Sequence, residues 1–338
     1  MGYTSCLLGR LPNLDPIQLH TDSIVFDAHC DFLHATARDG RRFDQRLGLG
    51  SVDMPRLLEG GVTAQIFAVW DYWAELPPER SPTLASMRQV AAFYRMLDEC
   101  ADHFIPATQA ADIEQAKAEG KLAGILSLEG TEPLAGDLDL LRVFYELGVR
   151  NLGLTWDYRN LAGDGVGVAD PGGLTDFGRA VVRQAERLGI LIDIAHLSPR
   201  GVEDVLQVAQ GPVIDSHANA QALCGHRRNL SDAQLDALAA SGGVVCVAFV
   251  PKFITADDWQ ASLEGVLDHM DHIVRRIGTD HLGIGSDFDG YQGVTSGLED
   301  VSRLPALTAG LVGRGYDETA VRKILGLNLL RVFRQVVG

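Results

Sequence analysis

Eight short runs of apolar, largely β-branched residues recur along the chain, and each is followed by a helical pattern. The runs read SIVFDAH, VTAQIFAVW, LAGILSLEG, VRNLGLTW, LIDIAHLS, PVIDSHA, GVVCVAFV and LGIGSDFDG. Most are continuously apolar, which is typical of parallel strands buried on both faces. Eight strand–helix alternations without a linker-like stretch predict one α/β domain, a closed (β/α)8 TIM barrel.

The predicted barrel takes in the whole chain, 1–338, with residues 1–22 as an N-terminal extension. A doubly wound open sheet is the alternative. Such a sheet normally carries a glycine-rich phosphate-binding loop after its first strand, and DAHCDFLH is not one. The closed barrel is therefore favoured.

Helices are predicted from apolar residues at helical spacing and from capping residues. Thr175 is expected to cap one helix at its start, and Gly189 to end it. Ser198 before Pro199 gives another start signal. The predicted helices are 84–103, 108–119, 137–147, 175–188, 202–208, 231–240, 259–277, 302–313 and 317–336.

Composition argues against several classes of protein. The net charge of −16 repels phosphate backbones and anionic membranes, so neither nucleic acid nor a membrane surface is an expected partner. The amino end lacks a secretory signal pattern, and a cytoplasmic location is expected. The odd number of cysteines, five including Cys6, contains no CxxC pair, which argues against a disulfide framework and a cysteine-built zinc site. The oligomeric state is left open, with a homodimer as one option.

Ionisable residues close five of the eight runs. Active sites of such barrels lie at the carboxyl ends of the strands. A lone histidine there is more often structural, but several ligand-type residues on different strands favour a metal centre, and imidazole and carboxylate suit zinc and its neighbours. The residues, in strand order, are His29 and Asp31, Glu129, His196, His217, and Asp287 with Asp289.

Their placement predicts a two-metal centre. Alternate residues of a strand point the same way, so His29 and Asp31 can both face the barrel mouth. Glu129 is suited to bridge two cations about 3.5–4 Å apart, which would hold a hydroxide between them. Asp287 is placed to take the proton from attacking water and pass it to the leaving amine, whereas Asp289 is expected to orient the following turn.

Several segments resemble one known family. They read DAHCDF, LSLEGTEPL, IDIAHLS, VIDSHANA, CGHRRNLSD, IGSDFDG, GLEDVSRLPAL and NLLRVF, and they span about Val25 to Phe333. Together they are similar to the renal (membrane) dipeptidase family, peptidase family M19, within the wider amidohydrolase group. The resemblance implies a zinc-dependent dipeptidase that cleaves the amide bond of dipeptides, including those with a carboxyl-terminal D-residue, by a metal-bridging hydroxide.

The resemblance also implies a role for each matching residue. His29 and Asp31 would bind one zinc ion, His196 and His217 the other, and Glu129 would bridge the two.

Beyond the metal ligands, Asp287 would be the acid–base residue. Arg228, the second arginine of HRRN, would bind the free carboxylate of the dipeptide, which a guanidinium fork fits in two-pronged fashion. One departure concerns Trp156, which stands where the mammalian enzymes have a histidine that helps bind the scissile carbonyl. Tryptophan offers a single N–H donor, so substrate binding at this place is expected to differ. Asp157, Tyr158 and Asn160 are alternative helpers.

Two alternatives accompany this interpretation. One is another hydrolase on the same metal barrel, acting on a cyclic amide, an N-acyl amino acid or a lactone. Many of those carry a His-x-His pair on the first strand, where this chain has His29-x-Asp31. The other is a catalytically silent ligand-binding barrel, against which the intact set of predicted ligands argues.

Overall fold

Eight parallel strands close into a barrel in the computed structural model, which describes residues 14–46, 48–73, 76 and 81–338. The described residues contain these eight and one further strand: β1 Phe26–Cys30, β2 Ala64–Val69, β3 Phe104–Pro106, β4 Leu122–Glu129, β5 Val149–Gly153, β6 Leu191–Asp193, β7 Ile214–Asp215, β8 Val244–Val247 and β9 Leu282–Ile284. The ring runs β1-β2-β4-β5-β6-β7-β8-β9 and closes because β1 pairs with β9. Each of the eight predicted runs contains one ring strand, and the predicted TIM barrel is confirmed.

The short strand β3 lies outside the ring. It pairs with Leu122–Gly124 at the start of β4, whereas β5 joins β4 from Leu126 onwards. β3 therefore occupies the edge of β4 that β5 leaves uncovered. Three residues are too few to show a strand periodicity, which is why this element was not predicted.

Fourteen α-helices belong to the described residues. They are α1 Pro16–Asp22, α2 Phe32–Asp39, α3 Met54–Glu59, α4 Pro82–Glu99, α5 Ala110–Glu119, α6 Leu138–Glu146, α7 Asp176–Leu188, α8 Pro199–Val208, α9 Asp232–Ala240, α10 Pro251–Ile254, α11 Leu263–Ile277, α12 Leu304–Gly313, α13 Glu318–Arg322 and α14 Asn328–Val336. All nine predicted helices are present, and Thr175 and Gly189 cap α7 as expected. The four short helices α1, α2, α3 and α10 were not predicted.

The predicted helix 317–336 is interrupted by a π-helical turn, Lys323–Leu327. Gly326 in this turn packs so closely on the entry to β1 that a Cβ atom would lie 2.4 Å from the Ile24 carbonyl oxygen. The widened turn separates α13 from α14 at the point where the last helical segment meets the first strand, as π-bulges commonly do at special contacts.

The predicted N-terminal extension is in part packed on the barrel. Residues 1–13, including Cys6, lie outside the described residues. Helix α1 is attached through His20, whose Nδ1 lies 2.6 Å from Thr308 Oγ1 and whose Nε2 lies 2.8 Å from the Gly60 carbonyl oxygen. None of the helices in the described part of the chain is long and apolar enough to span a bilayer.

The barrel mouth leaves no room for a side chain at Gly285. A methyl group there would lie 1.7 Å from the carbonyl oxygen of Ser216, which follows β7. We therefore expect Gly285→Ala to lower the free energy of unfolding by about 2–3 kcal/mol or more, because the backbone must shift to relieve the overlap. Urea denaturation measures the change. Gly313→Ala, at the end of α12 with nothing within 4 Å of the added carbon, is the matched control, and an equal loss there would contradict the packing argument.

Candidate metal centre

The predicted ligands converge at the carboxyl ends of the barrel strands. Each of them is buried. Three overlapping groups bring ligand atoms within 4.8 Å of one another: His29, Asp31 and Glu129; Glu129, His196 and His217; and His29, His217 and Asp287. All six side chains thus belong to one cluster at a single end of the barrel.

Glu129, the last residue of β4, joins the two halves of this cluster. Its Oε2 lies 3.6 Å from His29 Nε2, which itself lies 3.4 Å from Asp31 Oδ2. Its Oε1 lies 2.9 Å from His196 Nε2 and 3.9 Å from His217 Nε2. One carboxylate oxygen faces each half, which is the arrangement that a bridging ligand requires.

The cluster is fitted for cations. Both ring nitrogens of His29 and Oδ1 of Asp31 are buried and without a hydrogen-bond partner among the described residues, although buried polar atoms are normally paired. The Nε2 atoms of His196 and His217 lie 2.9 Å apart and are directed at the same region. Metal coordination would engage these atoms, and nitrogen and oxygen donors of this kind suit a borderline divalent cation.

The electrostatics of the cluster favour positive charge. Burial opposes protonation of His29, but Glu129, Asp31 and Asp287 outweigh it and raise the histidine pKa to about 10. Burial raises the pKa of Asp287 to about 8, with His29 opposing and Asp31 and Glu129 adding to the shift. Carboxylates crowded in a low-dielectric site require positive charge nearby, and a divalent cation supplies it.

Hydrogen bonds behind the cluster orient its histidines. Asp157 Oδ1 lies 2.8 Å from His196 Nδ1, and Arg227 Nη2 donates to Asp157 Oδ2 at 2.6 Å. Ser216 Oγ lies 2.7 Å from His217 Nδ1. The imidazoles of His196 and His217 are thus held through Nδ1, which leaves their Nε2 atoms directed into the cluster, as is common for metal-binding histidines. Of the three loop residues named from the sequence, Asp157 is the one that reaches the cluster's ligands.

Two buried aspartates tie neighbouring strand ends together. Asp27 in β1 accepts hydrogen bonds from Ser286 after β9, through the backbone N–H at 2.8 Å and the hydroxyl at 2.6 Å. Asp193 in β6 accepts the backbone N–H of Ser216 after β7 at 3.0 Å. Sequence reasoning missed both, because each lies within an apolar run and not at the end of the run where ligands were sought. They hold the backbone next to the ligands and so fix the spacing of the site.

Sharp turns of the backbone aim three of the strand-end residues. His196, Asp287 and Asp289 have φ values of 64°, 62° and 68°, a left-handed conformation that is uncommon for non-glycine residues, although aspartate and histidine adopt it more often than most. Asp289 Oδ1 accepts the backbone N–H of Ser51 at 2.6 Å. Asp289 therefore ties the turn after β9 to the segment before α3, and its orientation of the following turn stays a prediction.

A pocket of about 240 Å³ opens over the cluster and is lined by Arg228 and Trp156 as well as by Glu129, His196 and Asp287. Arg228 is buried, donates through Nη2 to the His217 carbonyl oxygen at 3.2 Å, and has an Nε without a partner in the described part of the chain. Surface cavities of about 630 and 800 Å³ contain none of the ligands. The chemistry of the lining, and not the volume, therefore identifies the site.

Pocket residues that sequence reasoning missed include Trp70, Tyr72, Phe253 and Tyr291. None of them is ionisable in the range that drew attention to the strand ends. Trp70 and Tyr72 follow β2, a strand whose end carries no predicted metal ligand. The remaining signal was the aromatic content of VWDYW directly after that strand.

Comparisons with known proteins identify similar chains. The family model described as membrane dipeptidase (peptidase family M19) matches residues 16–337. The dipeptidase tcpJ of Claviceps purpurea (strain 20.1) is 36% identical over 356 residues, which cover 98% of this chain and 83% of the relative.

Two solved structures are similar in fold and sequence. A metallopeptidase from Rhodobacter sphaeroides, liganded with a phosphinate mimic of the dipeptide L-Ala-D-Ala, superposes with a TM-score of 0.85 at 32% identity, covering 93% of this chain and 99% of that one. The dipeptidase AC, a metallopeptidase of family M19, gives a TM-score of 0.86 at 34% identity, covering 94% and 99% of the two chains.

Divalent metal is expected to stabilise the folded chain through this cluster. At a free metal concentration about 100 times the Kd, binding adds about 2.7 kcal/mol to the free energy of unfolding. Thermal denaturation of chelator-treated protein, with and without added zinc, measures the effect. Glu129→Gln should reduce the metal-dependent rise in Tm, whereas Glu203→Gln, an exposed glutamate on α8, should retain it. An unchanged Tm on adding metal to the wild-type chain would contradict the assignment.

Proposed function

Because the chain belongs to the membrane dipeptidase family, peptidase family M19, we propose that its metal cluster hydrolyses the amide bond of dipeptides with two bound zinc ions. The observation that carries this proposal is the position of Glu129, with one oxygen toward His29 and the other toward His196. A relative of known structure binds a phosphinate mimic of L-Ala-D-Ala, which supports dipeptides with a carboxyl-terminal D-residue as substrates.

The residues divide into two ligand sets. His29 and Asp31 would hold one ion, His196 and His217 the other, and Glu129 both. When bound, two such ions would polarise the scissile carbonyl and lower the pKa of water, so that a hydroxide nucleophile is available near neutral pH. The protein itself orients the imidazoles of His196 and His217, through Asp157 and Ser216.

Arg228 would hold the carboxylate of the dipeptide. Its guanidinium lies in the pocket, and its buried Nε has no partner among the described residues. A substrate carboxylate would supply that partner, in a charge-assisted hydrogen bond that is stronger than a neutral one. Because the Arg228 guanidinium lies to one side of the metal cluster, binding the substrate carboxylate there would fix the orientation of the dipeptide in the pocket.

Asp287 would move the proton. Its Oδ1 lies 4.0 Å from His29 Nε2, at the edge of the ligand cluster and in the wall of the pocket. The carboxylate takes a proton from the attacking water as the oxygen bonds to the carbonyl carbon. It returns that proton to the amine nitrogen as the C–N bond breaks, which completes hydrolysis without net consumption of acid or base.

Substrates with and without a free carboxylate test the proposed function. Zinc-loaded protein should hydrolyse dipeptides much faster than the corresponding dipeptide amides. Arg228→Ala should lower kcat/KM on dipeptides by about 10²-fold, because a buried charge-assisted contact is lost, and should change the rate on the amides far less. Elemental analysis of the same samples counts the metal. A protein that binds no metal or leaves all dipeptides intact would overturn the proposal.

Asp287→Asn isolates the proton transfer. The amide cannot accept the proton, so kcat should fall by about 10²–10⁴-fold while KM changes little. Metal content and Tm should stay near the wild-type values, because all five predicted metal ligands remain. Loss of zinc from the variant would show that Asp287 acts as a metal ligand and would contradict its assignment as the acid–base residue.

A further inference from the structure

Three aromatic rings form one face of the pocket, and we call Trp70, Tyr72 and Trp156 the aromatic wall. All three line the cavity over the metal cluster. Their ring centroids lie 4.6 Å apart for Trp70 and Tyr72, 5.1 Å for Trp70 and Trp156, and 5.9 Å for Tyr72 and Trp156. Rings at such separations make a continuous apolar surface with favourable tilted and edge-to-face contacts.

Two rings of the aromatic wall, those of Trp70 and Tyr72, lie across the barrel mouth from Arg228, whereas Trp156 is two strands away from β7. Trp70 and Tyr72 follow β2, and Trp156 follows β5, with only β4 between these two strands. Arg228 follows β7. In the eight-strand ring β2 and β7 are four strands apart in either direction, so their ends are diametrically opposed.

Both sides touch the metal cluster. Arg228 donates to the carbonyl oxygen of His217, and the Trp156 ring lies 5.7 Å from that of His196. A dipeptide is short, with its two Cα atoms about 3.8 Å apart. A carboxylate at Arg228 and a scissile carbonyl at the cluster therefore leave the aromatic wall to the amino-terminal residue.

Building on the proposed function, we infer that the aromatic wall selects the amino-terminal residue of the dipeptide and favours aromatic or large aliphatic side chains there. Trp156 presents a large ring with a single N–H donor to the pocket. Its ring thus extends the apolar surface of Trp70 and Tyr72 toward the metal cluster.

The chemistry of the wall favours apolar over basic side chains. The nearest carboxylate on the Trp156 loop, Asp157, is engaged on both oxygens, by His196 and by Arg227. Trp70 is 7% exposed and Tyr72 44% exposed, so the wall runs from a buried floor to an open rim. A large side chain can lie along it without burying a charge.

Two series of dipeptides test the inference. In X–Ala, with X as Gly, Ala, Leu, Phe or Lys, kcat/KM should rise about 10- to 100-fold from Gly to Phe, as burial and stacking of the ring predict. In Gly–X the same change of side chain should have a much smaller effect. A flat X–Ala profile, or a preference for Lys over Phe, would overturn the inference. Failure to hydrolyse any dipeptide would instead contradict the proposed function.

Variants assign the preference to the wall. Trp156→Ala should reduce the Phe–Ala to Gly–Ala ratio of kcat/KM to about 2- to 3-fold, and Trp156→Phe should keep most of it, because a ring remains. Trp259→Ala removes a 98% exposed indole that does not line this pocket and should retain the full ratio. Should Trp156→Ala fail to fold, Tyr72→Ala at the open rim gives the same comparison, and an undiminished ratio there would sink the idea.

Discussion

Negative charge buried at one end of the barrel is the constraint on which the site depends. Asp31, Glu129 and Asp287 lie within a few ångströms of His29, and all are shielded from solvent. Without compensating positive charge such a group is unfavourable in a low-dielectric environment, and its members take up protons instead. Ligand geometry, orphaned donor atoms and the shifted pKa values are therefore expressions of one requirement for cations.

Much of this arrangement could be predicted from the sequence, because the apolar runs and the topology of a parallel barrel determine it. Continuous apolar runs locate the ring strands, and parallel strands present their carboxyl ends together. His29, Glu129, His196 and His217 each close such a run, so their convergence follows from topology alone. Asp287 was predicted by the same argument, although its left-handed backbone was not.

What could not be predicted depends on contacts between distant segments. Asp27 and Asp193 are ordinary strand residues in sequence, and their roles appear only when the backbone N–H groups of Ser286 and Ser216 meet them. Asp157 was one of three loop residues that the sequence could not separate, since its hydrogen bond to His196 spans 39 positions. Strand β3 is too short for periodicity, and Trp70 carries no ionisable group to mark it.

The link between Asp27 and Ser286 joins residues 259 positions apart. It fastens the first ring strand to the last, so the half of the site that contains His29 and Asp287 can assemble only after the chain has been made through Ser286. Long-range pairing of this kind forms late, after the helices and after the pairing of strands that are close in sequence. Metal binding would accordingly be among the last steps in the folding of this chain, and a chain with bound metal would be one whose barrel has closed.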